Sequence, residues 1–319
     1  MAVPAVFRGR MSVPVIAAPM FLVSGPHLVT GACKAGVAAA FPSLNARPIE
    51  VLDEWLTQID AELGAALAAG RTCAPYGVNL ILHASNPRTR QDVELVVRHK
   101  VPFVITSLGH PGEVVAAVHS YGGLVFSDVI HAYHAKKVAE ARVDGIIAVA
   151  SGAGGHAGTQ SAFSLVREIR EFWDGTLVLG GAISDGRSVR AAEVLGADFA
   201  YMGTRFIATK ESMAQDGYKD MLVKCAPRDI VYTDAISGTN ANFMWPSLEQ
   251  AGYTREMLAP GARPPHSFAD EAKAWRDVWS AGHGVATIHD VPAVADLVAR
   301  LAAEYRQACA LERSPALAA

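Results

Sequence analysis

A single histidine stands inside a glycine-rich segment of the chain. The segment SGAGGHAG covers residues 151–158 and surrounds His156 with residues that have little or no side chain. An isolated histidine is more often structural than catalytic, but this one has few neighbours to pack against. Imidazole exchanges a proton near neutral pH, so we interpret His156 as a catalytic residue. The glycines, Gly154 and Gly155 among them, would let the backbone approach a flat ring closely.

Glycines also end two short apolar runs further along the chain. Gly180 and Gly181 end the run LVLGG, and Gly203 and Thr204 end the run FAYMGT. The residues 184–186, Ser-Asp-Gly, then offer an N-cap, and the helix after them should turn free N–H groups toward the same region. Bare backbone amides and helix N-termini bind phosphate. The pattern predicts a phosphorylated ligand; the alternative is that the glycines only permit tight turns.

The glycine-rich segment also matches a dinucleotide-binding fingerprint in its weak form. Residues 152–157 read G-x-G-x-x-A directly after an apolar run. The true fingerprint opens a helix and belongs to the first βαβ unit. Here the next helical pattern begins only near Ser161, and five strand candidates come earlier. We therefore disfavour a dinucleotide site of this type.

Two histidines in HAYHAKK have the i, i+3 spacing of helical metal ligands. No carboxylate or cysteine pattern accompanies His131 and His134, so we interpret them as ordinary helix residues and predict no metal site. The four cysteines lie far apart without a CxxC pair, which indicates neither a zinc site nor a disulfide framework. Reduced thiols are typical of a cytoplasmic protein.

Eight short apolar runs precede residue 205, and a helical pattern follows nearly every one. Buried strands that alternate with helices indicate a parallel sheet covered by helices. Eight units in about two hundred residues predict an α/β fold of the closed (β/α)8 TIM barrel type; an open doubly wound sheet is the alternative. The runs are VIAAP, VAAAF, YGVNL, PFVITS, LVFSDV, GIIAVA, LVLGG and FAYMGT, at residues 15–19, 37–41, 76–80, 102–107, 124–129, 145–150, 177–181 and 199–204.

After Ala208 the alternation of strand and helix patterns stops. Residues 212–284 are rich in Pro, Trp, Asn and polar side chains, including LAPGARPPHSF, and we interpret them as an insertion that forms a lid subdomain over the barrel mouth. The barrel then comprises residues 1–211 and 285–319, with a last helical pattern from Val291 to Leu311. Candidates for lining the lid are Tyr133, Asn242, Phe243, Met244 and Trp245; a Phe-Met-Trp run is more often hydrophobic core.

Composition narrows the class of partner. The chain has 319 residues, 51% hydrophobic and 18% charged, so it can bury an ample core. A formal net charge of -3 without any block of Lys or Arg gives no electrostatic reason to expect nucleic acid or an anionic membrane. Prolines break the apolar run at the N-terminus, so we predict neither a signal peptide nor a membrane span. A small molecule is the expected partner.

Five short motifs in a fixed order carry a family resemblance. They are PVIAAPM, YGVNL, GGHAG, LGGAISDG and GADFAYMGTRF, between Pro14 and Thr209. In this order they resemble the motifs of nitronate monooxygenases, formerly called 2-nitropropane dioxygenases, which are FMN-dependent barrel enzymes. Each motif is short, but five in the same order make the resemblance specific.

The resemblance implies FMN as the cofactor and assigns it binding residues. Its phosphate would lie on the glycines and Thr204 that end the last two apolar runs, and the isoalloxazine ring would lie along residues from earlier strands. His156 matches the catalytic histidine of the family. The implied cofactor-binding residues are Pro19, Met20, Phe21, Asn79, Asp128, Gly154, Gly155, Gly180, Gly181, Gly203 and Thr204.

One position departs from the family pattern. Some members have a lysine at the end of the fifth strand, where this chain has Asp128. An acid in place of a cation changes which groups of flavin or substrate can be stabilised there. The alternative is that Asp128 is only the N-cap of the helix HAYHAKK.

Three hypotheses for function follow. The first, which the resemblance implies, is FMN-dependent oxidation of alkyl nitronates by O2 to a carbonyl compound and nitrite, with His156 as the base or as the group that orients the nitronate. The second is an FMN-dependent NAD(P)H reductase of a quinone or an enoyl thioester, because the same sequence class also resembles trans-2-enoyl-ACP reductases. The third is a barrel that binds a phosphorylated ligand without redox chemistry. A monomer or homodimer is expected in each case.

Overall fold

Eight parallel strands close into a barrel in the computed structural model, which describes residues 3–236, 238–258 and 278–311. All eight apolar runs form barrel strands, so the predicted TIM barrel is confirmed. The strands are β1 (Val15–Ala17), β2 (Ala38–Pro42), β3 (Tyr76–Ile81), β4 (Phe103–Ser107), β5 (Leu124–Val129), β6 (Gly145–Val149), β7 (Gly155–His156), β8 (Thr176–Gly180), β9 (Phe199–Met202), β10 (Ile230–Thr233) and β11 (Ala241–Met244). The barrel order is β1-β2-β3-β4-β5-β6-β8-β9.

The pairing of the first and last barrel strands closes the sheet. Residue Ile16 of β1 lies opposite Tyr201 of β9, and Gly180 of β8 lies opposite the same tyrosine on the other side. The register is parallel throughout the barrel. An open doubly wound sheet would leave β1 and β9 as free edges, so that alternative is wrong.

Helices cover the outside of the barrel, because the strands are continuous apolar runs that need burial on both faces. The last described helix, α11 (Val294–Cys309), buries Val294, Leu297, Val298 and Leu301 in the shared core. The helices are α1 (Pro26–Ala35), α2 (Ile49–Ala68), α3 (Thr89–Arg98), α4 (Gly112–His119), α5 (Ala132–Glu140), α6 (Ala162–Arg170), α7 (Gly186–Leu195), α8 (Thr204–Ile207), α9 (Asp216–Lys224), α10 (Trp245–Gln250) and α11 (Val294–Cys309).

Aromatic rings fill the N-terminal end of the barrel. Phe7, from the short helical turn Ala5–Phe7, is fully buried, and its ring centroid lies 5.0 Å from that of Phe199. The rings of Phe103 and Phe126 follow at 5.6 and 6.0 Å. Aromatic pairs at these distances pack favourably. The segment before β1 therefore closes the bottom of the barrel and leaves the opposite end for ligands.

The chain between β9 and α11 adds a small second sheet. Strands β10 and β11 pair antiparallel, and β11 also pairs with β7 of the barrel loop. Tyr218, Leu222 and Met244 pack with Val23 and Ile207 in one apolar cluster at this end. The predicted lid segment 212–284 includes residues 237 and 259–277, which lie outside the described residues, as does most of LAPGARPPHSF. Its division from the barrel stays a prediction.

The four cysteines form no disulfide. Cys33, Cys73 and Cys225 are buried and Cys309 is exposed, and burial raises the pKa of the Cys33 thiol to about 12. A thiol with such a pKa stays protonated and unreactive.

Within the residues that the structure describes, no helix is long and apolar enough to cross a membrane.

Candidate active site

One cavity of about 1210 Å³ opens at the carboxyl ends of the barrel strands. In this fold that end carries the active site. Every site residue predicted from the sequence lines this cavity, although the residues come from six different strand ends or loops. They are Pro19, Met20, Phe21, Asn79, Asp128, Gly154, Gly155, His156, Gly180, Gly181, Gly203 and Thr204.

The loops after β8 and β9 form a cradle of bare backbone. Gly181 has φ +136°, and a Cβ there would lie 2.9 Å from the Ser151 carbonyl oxygen, so only glycine fits. Gly203 is the N-cap and Thr204 the first residue of the short helix α8, whose first N–H groups have no acceptor within the helix. A short extra helix after the eighth barrel strand is the usual phosphate site of this fold. The cradle therefore offers donors to an anion.

The N-terminus of α7 is not available to a ligand, contrary to the expectation. Asp185 is the N-cap as predicted, and its carboxylate accepts a hydrogen bond from the Ser188 N–H at 2.7 Å. The Gly186 N–H donates to the Glu304 carboxylate at 2.8 Å. These N–H groups are thus satisfied by two acids, and a phosphate there would face negative charge. The anion donors are those of the cradle at α8.

Ser184 contributes to the cavity wall and was not predicted as a site residue. Its side chain is buried, and its Oγ has no hydrogen-bond partner among the described residues. A buried hydroxyl without a partner costs free energy, so such groups point to a ligand or an ordered water. Only its position after the β8 glycines could have indicated the role.

His156 lies in a short strand rather than in an open loop, which corrects the expectation for the segment SGAGGHAG. Gly155 and His156 form β7, where His156 lies opposite Ala241 and Gly155 lies opposite Asn242 of β11. The imidazole is partly buried and lines the cavity. Backbone pairing with β11 therefore fixes the direction in which the histidine projects.

Two side chains of the small sheet reinforce this pairing. Asn242 Nδ2 donates to the Ala153 carbonyl oxygen at 2.6 Å, and the Tyr232 hydroxyl donates to the Ala157 carbonyl oxygen at 2.9 Å. The two bonds hold the glycine-rich segment on either side of His156. Tyr232 was not predicted as a site residue, and the only sequence signal for it is its place in the run IVYT, which is rich in β-branched and aromatic residues.

The glycines of this segment permit contact with another part of the backbone. A Cβ on Gly154 would lie 2.8 Å from the Gly282 nitrogen, and one on Gly152 would lie 3.3 Å from His283 Nδ1. The His283 N–H donates to the Gly152 carbonyl oxygen at 2.9 Å. We expected these glycines to make room for a flat ring. In the structure, the space beside Gly152 and Gly154 is occupied by residues 281–283.

A chain of hydrogen bonds joins three polar residues on one side of the cavity. Asn79 Nδ2 donates to Ser107 Oγ at 2.8 Å, and Ser107 Oγ donates to Asp128 Oδ2 at 2.6 Å. Asn79 Nδ2 also donates to the Ile105 carbonyl oxygen at 3.2 Å. Burial raises the pKa of the Asp128 carboxyl to about 6, while the hydrogen bonds from Ser107 and its own backbone oppose the shift.

Asp128 is not the N-cap of the following helix, so that alternative is wrong. It lies within β5, and the N-cap of α5 is His131, whose Nδ1 accepts from the His134 N–H at 3.4 Å. The two imidazole centroids lie 3.9 Å apart.

In the described part of the chain, no group of three His, Cys, Asp or Glu side chains is arranged to hold a metal ion.

The residues proposed to line a lid do not line the cavity. Phe243 and Met244 are fully buried in β11, which makes them core residues. Trp245 begins α10 and stacks under the Arg255 guanidinium at 3.8 Å, and Tyr133 is exposed on α5. Asn242 is also buried, and its side-chain amide donates to the Ala153 carbonyl oxygen. The hydrophobic-core interpretation is correct for the Phe-Met pair because β11 is the central strand of the small sheet.

A closed barrel with a cradle of bare backbone and a histidine at its carboxyl end is typical of enzymes of the TIM-barrel class. A sequence model of the nitronate monooxygenase family matches residues 9–304, so the chain belongs to that family and is an oxidoreductase. This finding disfavours a barrel without redox chemistry.

The chain is similar to several known proteins. It is 27% identical over 350 residues to a nitronate monooxygenase of Paraburkholderia phytofirmans, covering 92% of each chain. It is 30% identical over 253 residues to "(3aS,4S,5R,7aS)-5-hydroxy-7a-methyl-1-oxo-octahydro-1H-indene-4-carboxyl-CoA dehydrogenase" of Rhodococcus jostii, covering 77% of this chain and 67% of the relative. Among solved structures, FabK of Thermotoga maritima has a TM-score of 0.78 at 25% identity and covers 94% of each chain.

Proposed function

We propose that this protein is an FMN-dependent nitronate monooxygenase that oxidises alkyl nitronates with O2 to a carbonyl compound and nitrite. The observation that carries the proposal is the shared cavity, where His156, the cradle at α8 and the polar residues of β3 and β5 meet. Family membership supports the same reaction.

The residues of the cavity fit FMN on structural grounds. Ser184 supplies a buried hydroxyl that has no hydrogen-bond partner in the described part of the chain. Thr204 Oγ1 accepts from the Gly282 N–H at 2.9 Å, which leaves its own proton for a phosphate oxygen. Gly180, Gly181 and Gly203 place no side chain between backbone and ligand. Pro19, Met20, Phe21, Gly154 and Gly155 line the remaining wall, where a flat apolar ring can lie.

His156 acts on the substrate in this proposal. FMN, when bound, supplies the redox chemistry and the reaction with O2. The imidazole takes an α-proton from a neutral nitroalkane or holds an anionic nitronate in place. The pairing of β7 with β11 keeps the ring in one direction, so the protein contributes position rather than redox chemistry.

The segment 212–284 forms a lid subdomain in this proposal, and residues 1–211 and 285–319 form the FMN-binding barrel. Described parts of the segment support it, because they contribute to the cavity wall. These cavity-lining residues are Tyr218, Tyr232, Gly238, Thr239, Asn240, Ser280, Gly282 and Gly284. A wall from this segment would exclude water from the reacting groups.

An anaerobic absorbance titration of the purified protein tests the function. One sample receives a deprotonated nitroalkane, the other NADH or NADPH. Reduction of the flavin by the nitronate alone, with nitrite formed after air is admitted, supports the proposal. His156→Ala should then retain bound FMN and lose about 10²- to 10⁴-fold in kcat. Purification of a colourless protein that takes up no FMN would refute the proposal.

A second candidate is an FMN-dependent NAD(P)H reductase of a quinone or an enoyl thioester. The Rhodococcus jostii relative is named for a carboxyl-CoA substrate. The cavity of about 1210 Å³ also exceeds the ~300–1,000 Å³ of ordinary ligand sites, which leaves room for a long substrate beside a cofactor. Bleaching of the flavin by the nicotinamide and not by the nitronate would establish this candidate.

The proposed working form is a monomer or homodimer in the cytoplasm. The four free cysteines support a reducing compartment. Light scattering on the eluted holoenzyme measures the mass of the particle, and a tetramer or larger assembly would refute the proposed oligomeric state.

A further inference from the structure

The hydrogen bonds between Asn79, Ser107 and Asp128 run in one direction. Both N–H protons of the Asn79 amide are used, one by Ser107 Oγ and one by the Ile105 carbonyl oxygen. The hydroxyl proton of Ser107 is used by Asp128 Oδ2. Asn79 can therefore offer a ligand only its acceptor oxygen. Asp128, at the end of this chain of hydrogen bonds, has a proton to donate only when its carboxyl is neutral.

Asp128 is set in surroundings that disfavour its charged form. Burial raises the pKa of its carboxyl to about 6, and the hydrogen bonds from Ser107 and its own backbone N–H only partly offset the effect. A ligand ring that covers the carboxyl removes the remaining water and raises the pKa further. A buried carboxylic acid kept neutral in this way becomes a hydrogen-bond donor.

The other titratable groups around the carboxyl do not restore its charge. Tyr201 faces it from β9, and burial together with Asp128 raises the pKa of that phenol well above its usual value, so it stays neutral. His134 and Lys137 line the same cavity from α5, and burial lowers the pKa of His134. His156 lines it from β7. His83 and His110 line it from the loops after β3 and β4. None of these side chains is among the groups that shift the pKa of Asp128.

We propose that Asp128 binds FMN as a neutral acid, donating a hydrogen bond from its carboxyl to an acceptor of the flavin ring while Asn79 accepts one. The inference rests on the proposed function, since it requires FMN in the cavity. It also requires that each ionised carboxyl take up one proton from solvent when FMN binds. The affinity for FMN then depends on pH through this residue.

The dissociation constant of FMN, measured by the fluorescence released from diluted holoenzyme, tests the proposal. Only the protonated acid binds well, so the dissociation constant of the wild type should rise about tenfold per pH unit above roughly pH 6. Asp128→Asn should abolish this rise. Asp174→Asn, which changes an exposed carboxylate outside the cavity, should behave as the wild type. The phosphate of FMN also titrates near pH 6, but it contributes equally to all three proteins.

Two further measurements keep the test decisive. Ser107→Ala retains the acid and removes the hydroxyl that favours its ionised form, so the rise should begin at a higher pH. Infrared difference spectra between wild type and Asp128→Asn holoenzymes at pH 7.5 should show the carbonyl band of a protonated acid. Equal pH profiles in wild type and Asp128→Asn, or no such band, would overturn the inference alone. Failure of every protein to bind FMN would overturn the proposed function as well.

Discussion

Gly154 and Gly282 approach each other so closely that neither position has room for a side chain. A Cβ on Gly154 would lie 2.8 Å from the Gly282 nitrogen, and a Cβ on Gly282 would lie 2.7 Å from the Gly154 nitrogen and 2.4 Å from the Gly152 carbonyl oxygen. The obstructing atoms are backbone atoms, which cannot rotate away. This contact joins the segment that carries His156 to the segment that precedes α11.

Gly282→Ala should therefore destabilise the protein and lower its activity. The added methyl meets backbone on two sides, and overpacking of this kind costs about 1–3 kcal/mol. We expect a lower midpoint of urea unfolding and a lower kcat. Gly64→Ala on α2 is the control, because a Cβ there meets no atom of the described residues within 4 Å. That variant should gain roughly 0.5–1 kcal/mol. Equal effects of the two variants would contradict the proposed contact.

The hydroxyl of Tyr232 should matter for turnover more than for folding. Tyr232→Phe removes the donor to the Ala157 carbonyl oxygen beside His156. Tyr121→Phe is a matched control, since its hydroxyl donates to the Val101 carbonyl oxygen at 2.8 Å, away from the cavity. Both should lose about 0.5–1.5 kcal/mol of unfolding free energy. Only Tyr232→Phe should lower kcat, by about fivefold; an equal loss in both variants would argue against a positioning role.

Ser184→Ala should separate FMN binding from stability. Its hydroxyl has no partner in the described chain, so its removal should leave the unfolding temperature of the apoprotein unchanged or higher. If it donates to the phosphate, the dissociation constant of FMN should rise about tenfold, equivalent to about 1.4 kcal/mol. Ser247→Ala is the control, because the buried Ser247 Oγ accepts from the Trp279 N–H at 2.7 Å. That variant should lose stability and keep its FMN affinity.

The stability of the apoprotein should depend on pH through Asp128. The folded pKa of about 6 exceeds the unfolded value of 3.8, so the unfolded chain ionises first as pH rises. The wild type therefore loses stability between about pH 4 and 6 relative to Asp128→Asn, and the difference is constant above pH 6. It should reach on the order of 2–3 kcal/mol. Urea unfolding at pH 4, 5, 6 and 8 measures it; a difference that does not vary with pH would contradict the raised pKa.

The barrel strands were predictable because they are buried on both faces. Continuous apolar runs such as GIIAVA and LVLGG need no knowledge of distant residues to be recognised. The glycines and His156 were indicated by their places at strand ends, since parallel strands bring their carboxyl ends to one rim. The other predicted site residues were implied by the family resemblance. The bond between Ser107 and Asp128 is a consequence of the same geometry, as Ser107 ends β4 and Asp128 lies one residue before the end of the neighbouring β5.

The features that escaped prediction depend on partners far away in the chain. Glu304 caps the Gly186 N–H across 118 residues, which no local pattern around α7 reveals. The two-residue strand β7 has no periodicity of its own and exists only because β11 pairs with it. The sequence also leaves open whether Phe243 and Met244 face a ligand or a core. Their burial follows from the position of β11 between two other strands.

The aromatic rings packed around Phe7 determine the route by which reactants enter and products leave the barrel. Phe7, Phe103, Phe126 and Phe199 close the interior at the amino end of the barrel. A molecule at the depth of Asp128 or Asn79 must therefore enter and leave at the carboxyl end, past the same residues. With a cofactor in place, substrate, O2 and product would all pass through this single opening. Slow dissociation of a large product would then delay the binding of the next substrate molecule. The packing of four phenylalanines at the amino end thus limits the entry of substrate and the release of product to the carboxyl end.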